Sequence, residues 1–204
     1  MSIDLGASAL GEVVTLRDRL VDAATALTTT DGWSSVTMAR LAEAVGVSRQ
    51  TVYNEIGTKP ALAEAMILRE LARFLESVDR AFMAHPRDLY AALGAAVTGV
   101  LEFAEGNELL KAIVSATHGA DTELLPLLTS HSETLLETAT VVVGEHLAAY
   151  EMGIEPERLH GIIETIIRVV LSHVMQSSVP PAEVADTLVW MARRVLDHEP
   201  PAAG

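Results

Sequence analysis

Residues 37–60 run Thr-Met-Ala-Arg-Leu-Ala-Glu-Ala-Val-Gly-Val-Ser-Arg-Gln-Thr-Val-Tyr-Asn-Glu-Ile-Gly-Thr-Lys-Pro, two short helical patterns that meet at Gly46. Glycine suits the left-handed backbone of a tight turn between helices. Thr37 can cap the first helix, whose apolar stripe is Leu41, Ala42 and Val45. Ser48 can cap the second, and after it Arg49, Gln50, Thr51, Tyr53 and Asn54 all carry hydrogen-bond donors. Helix, glycine turn and polar second helix are what a helix-turn-helix needs to enter the major groove of DNA. The segment points to a DNA-binding regulator.

Upstream, Val13, Leu16, Leu20, Ala23, Ala24 and Leu27 recur at helical spacing and predict a helix from about residue 10 to 29. Asp31-Gly32 is a turn, and Trp33 is placed to wedge between helices. The two helices of the motif are predicted over 37–44 and 48–54. Downstream, Thr58 caps a long helix to about residue 84, with Pro60 in its first turn, where proline is tolerated. Further helices are predicted over 88–105, 107–118, 122–150, 155–176 and 181–196. The segments 1–9 and 199–204 read as loose tails, and nothing reads as a strand. The expected fold is all-α with nine helices. A head over residues 10–57 carries the helix-turn-helix, and a body over residues 58–198 follows.

Composition fits that architecture. Half of the 204 residues are hydrophobic but only 4% are aromatic, so Ala, Leu, Val and Ile must do the packing, as in close-packed helices. There is no cysteine, hence no disulfide and no thiolate chemistry. No basic leader precedes an apolar run and no long uncharged apolar stretch occurs, so a cytoplasmic protein without a membrane span is expected. The net charge of −14 argues at first against DNA. Residues 1–60, however, hold five basic groups against seven acidic ones, a net of −2, and the other −12 lies in the body. Phosphate neutralisation supplies much of DNA affinity, so such a head needs a dimer.

Nine helices with the motif in second and third place resemble the TetR family of bacterial repressors, most strongly over residues 14–60. The family's pattern appears as Thr37, Leu41-Ala42, Val45-Gly46-Val47-Ser48, Thr51-Val52-Tyr53 and Lys59. Two positions depart from it. Ile56 replaces the usual phenylalanine in the core. Glu55 stands where histidine or tyrosine is common; either it points away from DNA or it accepts from a cytosine amino group. The stretch from Tyr53 to Leu62 is similar to actinobacterial members associated with alkane or fatty-acid oxidation genes.

On this reading Arg49 and Gln50 reach base edges, with Thr51 and Asn54 beside them. Thr37 and Ser48 are first of all caps whose hydroxyls also suit phosphate. Tyr53 and Lys59 fit phosphate clamping, and Arg40 is either a phosphate contact or an ordinary surface charge. The resemblance implies a ligand pocket enclosed by the fourth to eighth helices, for a small hydrophobic, lipid-like effector. Candidate lining residues are Met66, Phe74, Phe103, Leu110, His118, His131 and Ile166. It also assigns the last two helices to a homodimer interface. That agrees with their surplus of apolar residues: Ile163, Ile167, Val170 and Val174, then Val184, Leu188 and Trp190. A two-fold dimer reads a pseudo-palindromic operator.

Other chemistry finds little support. The seven histidines, at 85, 118, 131, 146, 160, 173 and 198, lack partners at metal-ligand spacing, and no phosphate-binding or nucleophile motif occurs. No enzymatic activity, metal or cofactor is expected. The acidic head and Glu55 leave a second reading, a helical ligand-binding or interaction protein whose head no longer binds DNA.

Overall fold

The computed structural model of the protein describes residues 14–117, 132–150, 152–176 and 178–196. These residues form nine α-helices and no strand. The helices are α1 (Leu16–Asp31), α2 (Met38–Val45), α3 (Arg49–Ile56), α4 (Lys59–Ala84) and α5 (Leu89–Gly106). They continue as α6 (Glu108–Thr117), α7 (Ser132–Leu147), α8 (Pro156–Met175) and α9 (Pro181–Leu196). A 3₁₀ turn at Trp33–Ser35 joins α1 to α2.

The helix starts are set by local chemistry. Thr37, Ser48, Thr58 and Asp88 each accept the backbone N–H three residues on, from Arg40, Thr51, Ala61 and Ala91. Such caps contribute about 1 kcal/mol each. α1 begins at Leu16, where Thr15 and Asp18 cap each other reciprocally; residues 10–13 of the expected helix lie outside the described residues. The Thr15 hydroxyl accepts from the Asp18 N–H, and the Asp18 carboxylate accepts from the Thr15 N–H at 2.9 Å. The Thr15 hydroxyl also donates to the Asp18 carboxylate at 2.6 Å, and this bond, with that from the Thr15 N–H, holds the Asp18 carboxyl below its ordinary value. Gly46 adopts φ 74°, ψ 37°, the left-handed turn expected between the motif helices.

Three apolar cores result. The head core joins Leu20, Val21 and Ala24 of α1 with Trp33, Val36, Leu41, Val52 and Ile56. It also takes Leu62, Ala63 and Met66 from the first turns of α4, and Leu109 from α6. The head core therefore runs past residue 57. A second core packs the far half of α4 against α5, α7 and α8, around Val78, Phe82, Ala92, Leu147 and Ile163. A third packs α5 against α8 and α9, around Val97, Leu101, Val170, Val184 and Leu188.

Several side chains pin these layers. His146 of α7 lies stacked on Phe82, with ring centroids 5.0 Å apart, and its Nε2 sits 2.6 Å from Asp79 of α4. The Tyr150 hydroxyl donates to the His85 carbonyl at 2.8 Å. Glu70, buried on α4, accepts from Arg73 at 3.0 Å and from the Asn107 amide. Asn107 in turn caps α6 by accepting from the Leu110 N–H. α6 is thus bonded to α4 at its start while Leu109 plugs the head core.

Candidate nucleic-acid interface and ligand cavity

α3 is held to the head by Val52 and Ile56, four residues apart and both buried. Each such burial stabilises by roughly 1.5–3 kcal/mol. Fixing that face inward turns Gln50 and Asn54 outward, also four apart, with Tyr53 on one flank at 46% exposure. Gln50 Nε2 donates to Asn54 Oδ1 at 2.9 Å. Arg49 is exposed at the first position of the helix. Ser48 Oγ and Thr51 Oγ1 lie 2.8 Å apart, so Thr51 leans back on the cap. Glu55 is exposed but sits about 100° round the helix from Asn54, off the centre of this face.

The cations of the head are divided between structure and surface. Arg40 is half-exposed, ion-paired with Asp31, and donates to the Ser35 carbonyl at 3.3 Å. These contacts tie α2 to the 3₁₀ turn. Lys59 Nζ stands 4.8 Å over the Trp33 ring at the start of α4.

Two arginines of α1 brace the motif. Arg19 Nη2 donates to the Val45 carbonyl at 2.8 Å, and Arg17 Nη1 to the Glu55 carbonyl at 3.1 Å. One closes the C-terminus of α2 and the other that of α3, where a cation is favoured by the helix dipole. α1 thereby holds the C-terminal ends of both helices of the motif. These contacts cross 26 and 38 residues of chain, and no local pattern announces them.

In the body lies a cavity of about 150 Å³ walled only by apolar atoms. Its walls come from α4, α5, α7, α8 and α9, with Phe74, Phe82, Val100, Val143 and Ile166 among them. Of the candidate lining residues, Phe74 and Ile166 stand on this wall. Phe103 does not; it packs edge-to-face behind Phe74 at 5.0 Å. Met66 is buried in the head core, away from this wall, because the first two turns of α4 belong to the head. Leu110 lines a second cavity of about 290 Å³ instead, with Lys111, His173 and Val184. His118 and His131 lie outside the described residues.

The candidate interface residues lie as follows within the chain. Val184 and Leu188 are buried against α5, as are Ile163 and Val170 in the cores of the same chain. Ile167 and Val174 face the apolar cavity. Only Trp190 remains well exposed, at 60%. The apolar side chains that α8, α9 and their connection leave outside are Leu171, Met175, Val179, Trp190, Met191 and Val195. Both helices are apolar on two faces, and the sequence does not say which face the body uses.

Among the described residues no group of three metal-ligating side chains comes together, and no helix is long and apolar enough to cross a membrane. The features that do assemble are a helix-turn-helix head and a body with an apolar cavity, the two parts of a ligand-sensing transcriptional regulator. Family models agree. The model for bacterial regulatory proteins of the tetR family matches residues 20–66, and that for the bacterial tetracyclin repressor C-terminal domain matches residues 88–194. The chain belongs to the TetR family of transcriptional regulators. It is 29% identical over 181 residues to the HTH-type transcriptional regulator AlkX of Mycobacterium tuberculosis, spanning 88% of this chain and 83% of that one. It is also similar to the crystal structure of the TetR family repressor AlkX from Dietzia sp., implicated in biodegradation of n-alkanes. That likeness has a TM-score of 0.72 and 28% identity, over 92% of this chain and 98% of the other. The TetR family repressor FadR of Thermus thermophilus, solved with lauroyl-CoA, shares the fold with a TM-score of 0.62 at 22% identity, over 92% and 99% of the two chains.

Proposed function

We propose that the protein is a cytoplasmic, homodimeric repressor that binds a pseudo-palindromic operator and leaves it when a hydrophobic molecule enters the body. The observation that carries this reading is the wholly apolar cavity beneath an intact helix-turn-helix head. A pocket without polar atoms gives a charged or sugar-like ligand no compensation for lost water, whereas a hydrocarbon chain loses none. The similarity to two AlkX proteins, one implicated in n-alkane degradation, supports drawing the effector from hydrocarbon metabolism.

The DNA-contacting set is Arg49, Gln50 and Asn54 toward bases, with Thr37, Ser48, Thr51, Tyr53 and Lys59 toward phosphates. Residues 14–66 act as the reading unit, and the rest senses and dimerises. The exposed apolar strip from Leu171 to Val195 is where a second copy covers α8 and α9. α6 links the parts, since Glu70 and Asn107 hold its start while Leu109 reaches the head core. Ligand and operator then oppose each other, each weakening the other's binding by the same factor.

Selection of bound duplexes from a random pool tests this, followed by titration of the recovered sequence at two salt concentrations with and without medium-chain alkanes and fatty acids. The expected result is an inverted repeat whose affinity falls with salt and with one of these ligands. A folded dimer that selects no DNA favours instead a sensor whose head no longer reads sequence. Equal operator affinity with every ligand removes the switching half of the proposal.

A further inference from the structure

The centre of the outward face of α3 is a bonded pair of carboxamides. Gln50 and Asn54 lie one turn apart and both are exposed, opposite the buried Val52 and Ile56. The bond between them takes one amide hydrogen from Gln50 and one lone pair from Asn54. What remains on Gln50 for an outside partner is its carbonyl oxygen and its second N–H, an acceptor and a donor on one planar amide, while Asn54 keeps its own N–H donors.

Base edges in the major groove respond differently to such a unit. Adenine shows an acceptor, N7, beside a donor, the N6 amino group; guanine shows two acceptors; cytosine shows a donor; thymine shows an acceptor and a methyl group. One acceptor beside one donor is complementary, two bonds at a time, to adenine alone. Against guanine the Gln50 oxygen would meet a second acceptor in a desolvated groove, a costly mismatch. An unrestrained glutamine must first give up its rotamer freedom to make the pair. Here Asn54 holds the amide before DNA arrives, and preorganisation of that kind raises affinity without a new contact.

We propose that Gln50, oriented by Asn54, reads an adenine at the same place in each operator half-site. Gln50 is the specificity-determining residue and Asn54 the positioning residue. This rests on the repressor reading above and deepens it by naming the base.

Random-pool selection is run on the full-length protein and on Gln50→Ala, Asn54→Ala and Asn54→Asp, with melting temperatures alongside. The wild type should return an inverted repeat with adenine at one place in both halves. Gln50→Ala should return the same repeat with that place open to all four bases, losing a preference of about tenfold. Asn54→Ala should weaken the preference severalfold at an unchanged melting temperature. Asn54→Asp keeps an acceptor for the Gln50 N–H, so it should keep the preference while binding every duplex more weakly. A repeat in which the position sensitive to Gln50→Ala is not adenine overturns the assignment. An adenine preference unchanged in Gln50→Ala does the same, and one unchanged in Asn54→Ala overturns the positioning role. Recovery of no repeat by the wild type sinks the repressor reading and this inference with it, which separates the two failures.

Discussion

Of the five cations in the first sixty residues, Arg17, Arg19 and Arg40 are engaged by backbone carbonyls or by Asp31, while Arg49 stands exposed and Lys59 lies over Trp33. Equal chemistry therefore carries unequal consequences. Arg40→Ala should lower stability by no more than about 1 kcal/mol, as a surface pair, and leave the salt dependence of operator binding unchanged. Lys59→Ala should weaken binding to operator and unrelated duplex alike, and reduce the slope of log affinity against log salt by about one. Titrations at several salt concentrations separate the two; a slope that drops with Arg40→Ala would return that residue to the phosphate-contacting set.

At the scale of elements, the caps and the glycine turn were legible in advance because each works within three or four residues. Thr37, Ser48 and Thr58 are where their helices begin. Gly46→Ala should cost about 1–2 kcal/mol of stability through its left-handed backbone alone, since nothing lies within 4 Å of the added methyl. The α1 cap depends on pH. Bonds from Thr15 lower the Asp18 carboxyl, so its contribution is complete above the ordinary value of 3.8 and fades as pH falls through the lower folded value. Melting curves below pH 4 should thus fall less steeply for Asp18→Asn than for the wild type. The clamp from α1 to α2 and α3 was illegible, because its partners are distant in sequence. Each bond contributes about 1 kcal/mol, so a paired Arg17→Ala, Arg19→Ala variant should bind operator roughly tenfold more weakly. Because these guanidinium groups are taken up by backbone carbonyls of α2 and α3, the salt slope should hold.

For the whole molecule, two expectations concern the body. Trp190→Asp with Met191→Asp places charge on the exposed strip of α9 while leaving its buried side untouched. Sedimentation should then show a folded monomer that no longer holds operator at concentrations where the wild type does. Ala96→Leu adds bulk to the wall of the apolar cavity. Overpacking costs typically 1–3 kcal/mol, and the variant should stay on DNA at ligand concentrations that release the wild type. Release at the same concentration would mean that the effector binds elsewhere, with the second cavity beside Leu110 and His173 next to be tested.

Some of this was written in local order along the chain. Helical periodicity, side-chain caps, proline at helix starts and glycine at turns act over one or two turns of backbone, and from them follow nine helices, the helix-turn-helix and the polar face of α3. The tertiary structure decided what depends on the meeting of distant segments. Met66 went to the head because α4 begins there before it enters the body. Val184 and Leu188 turned inward because α5 presents them an apolar groove, which left Trp190 and Met191 outside. An apolar side chain gains about as much against any well-packed apolar surface. Its identity alone therefore says that it will be covered, and only the fold says by what.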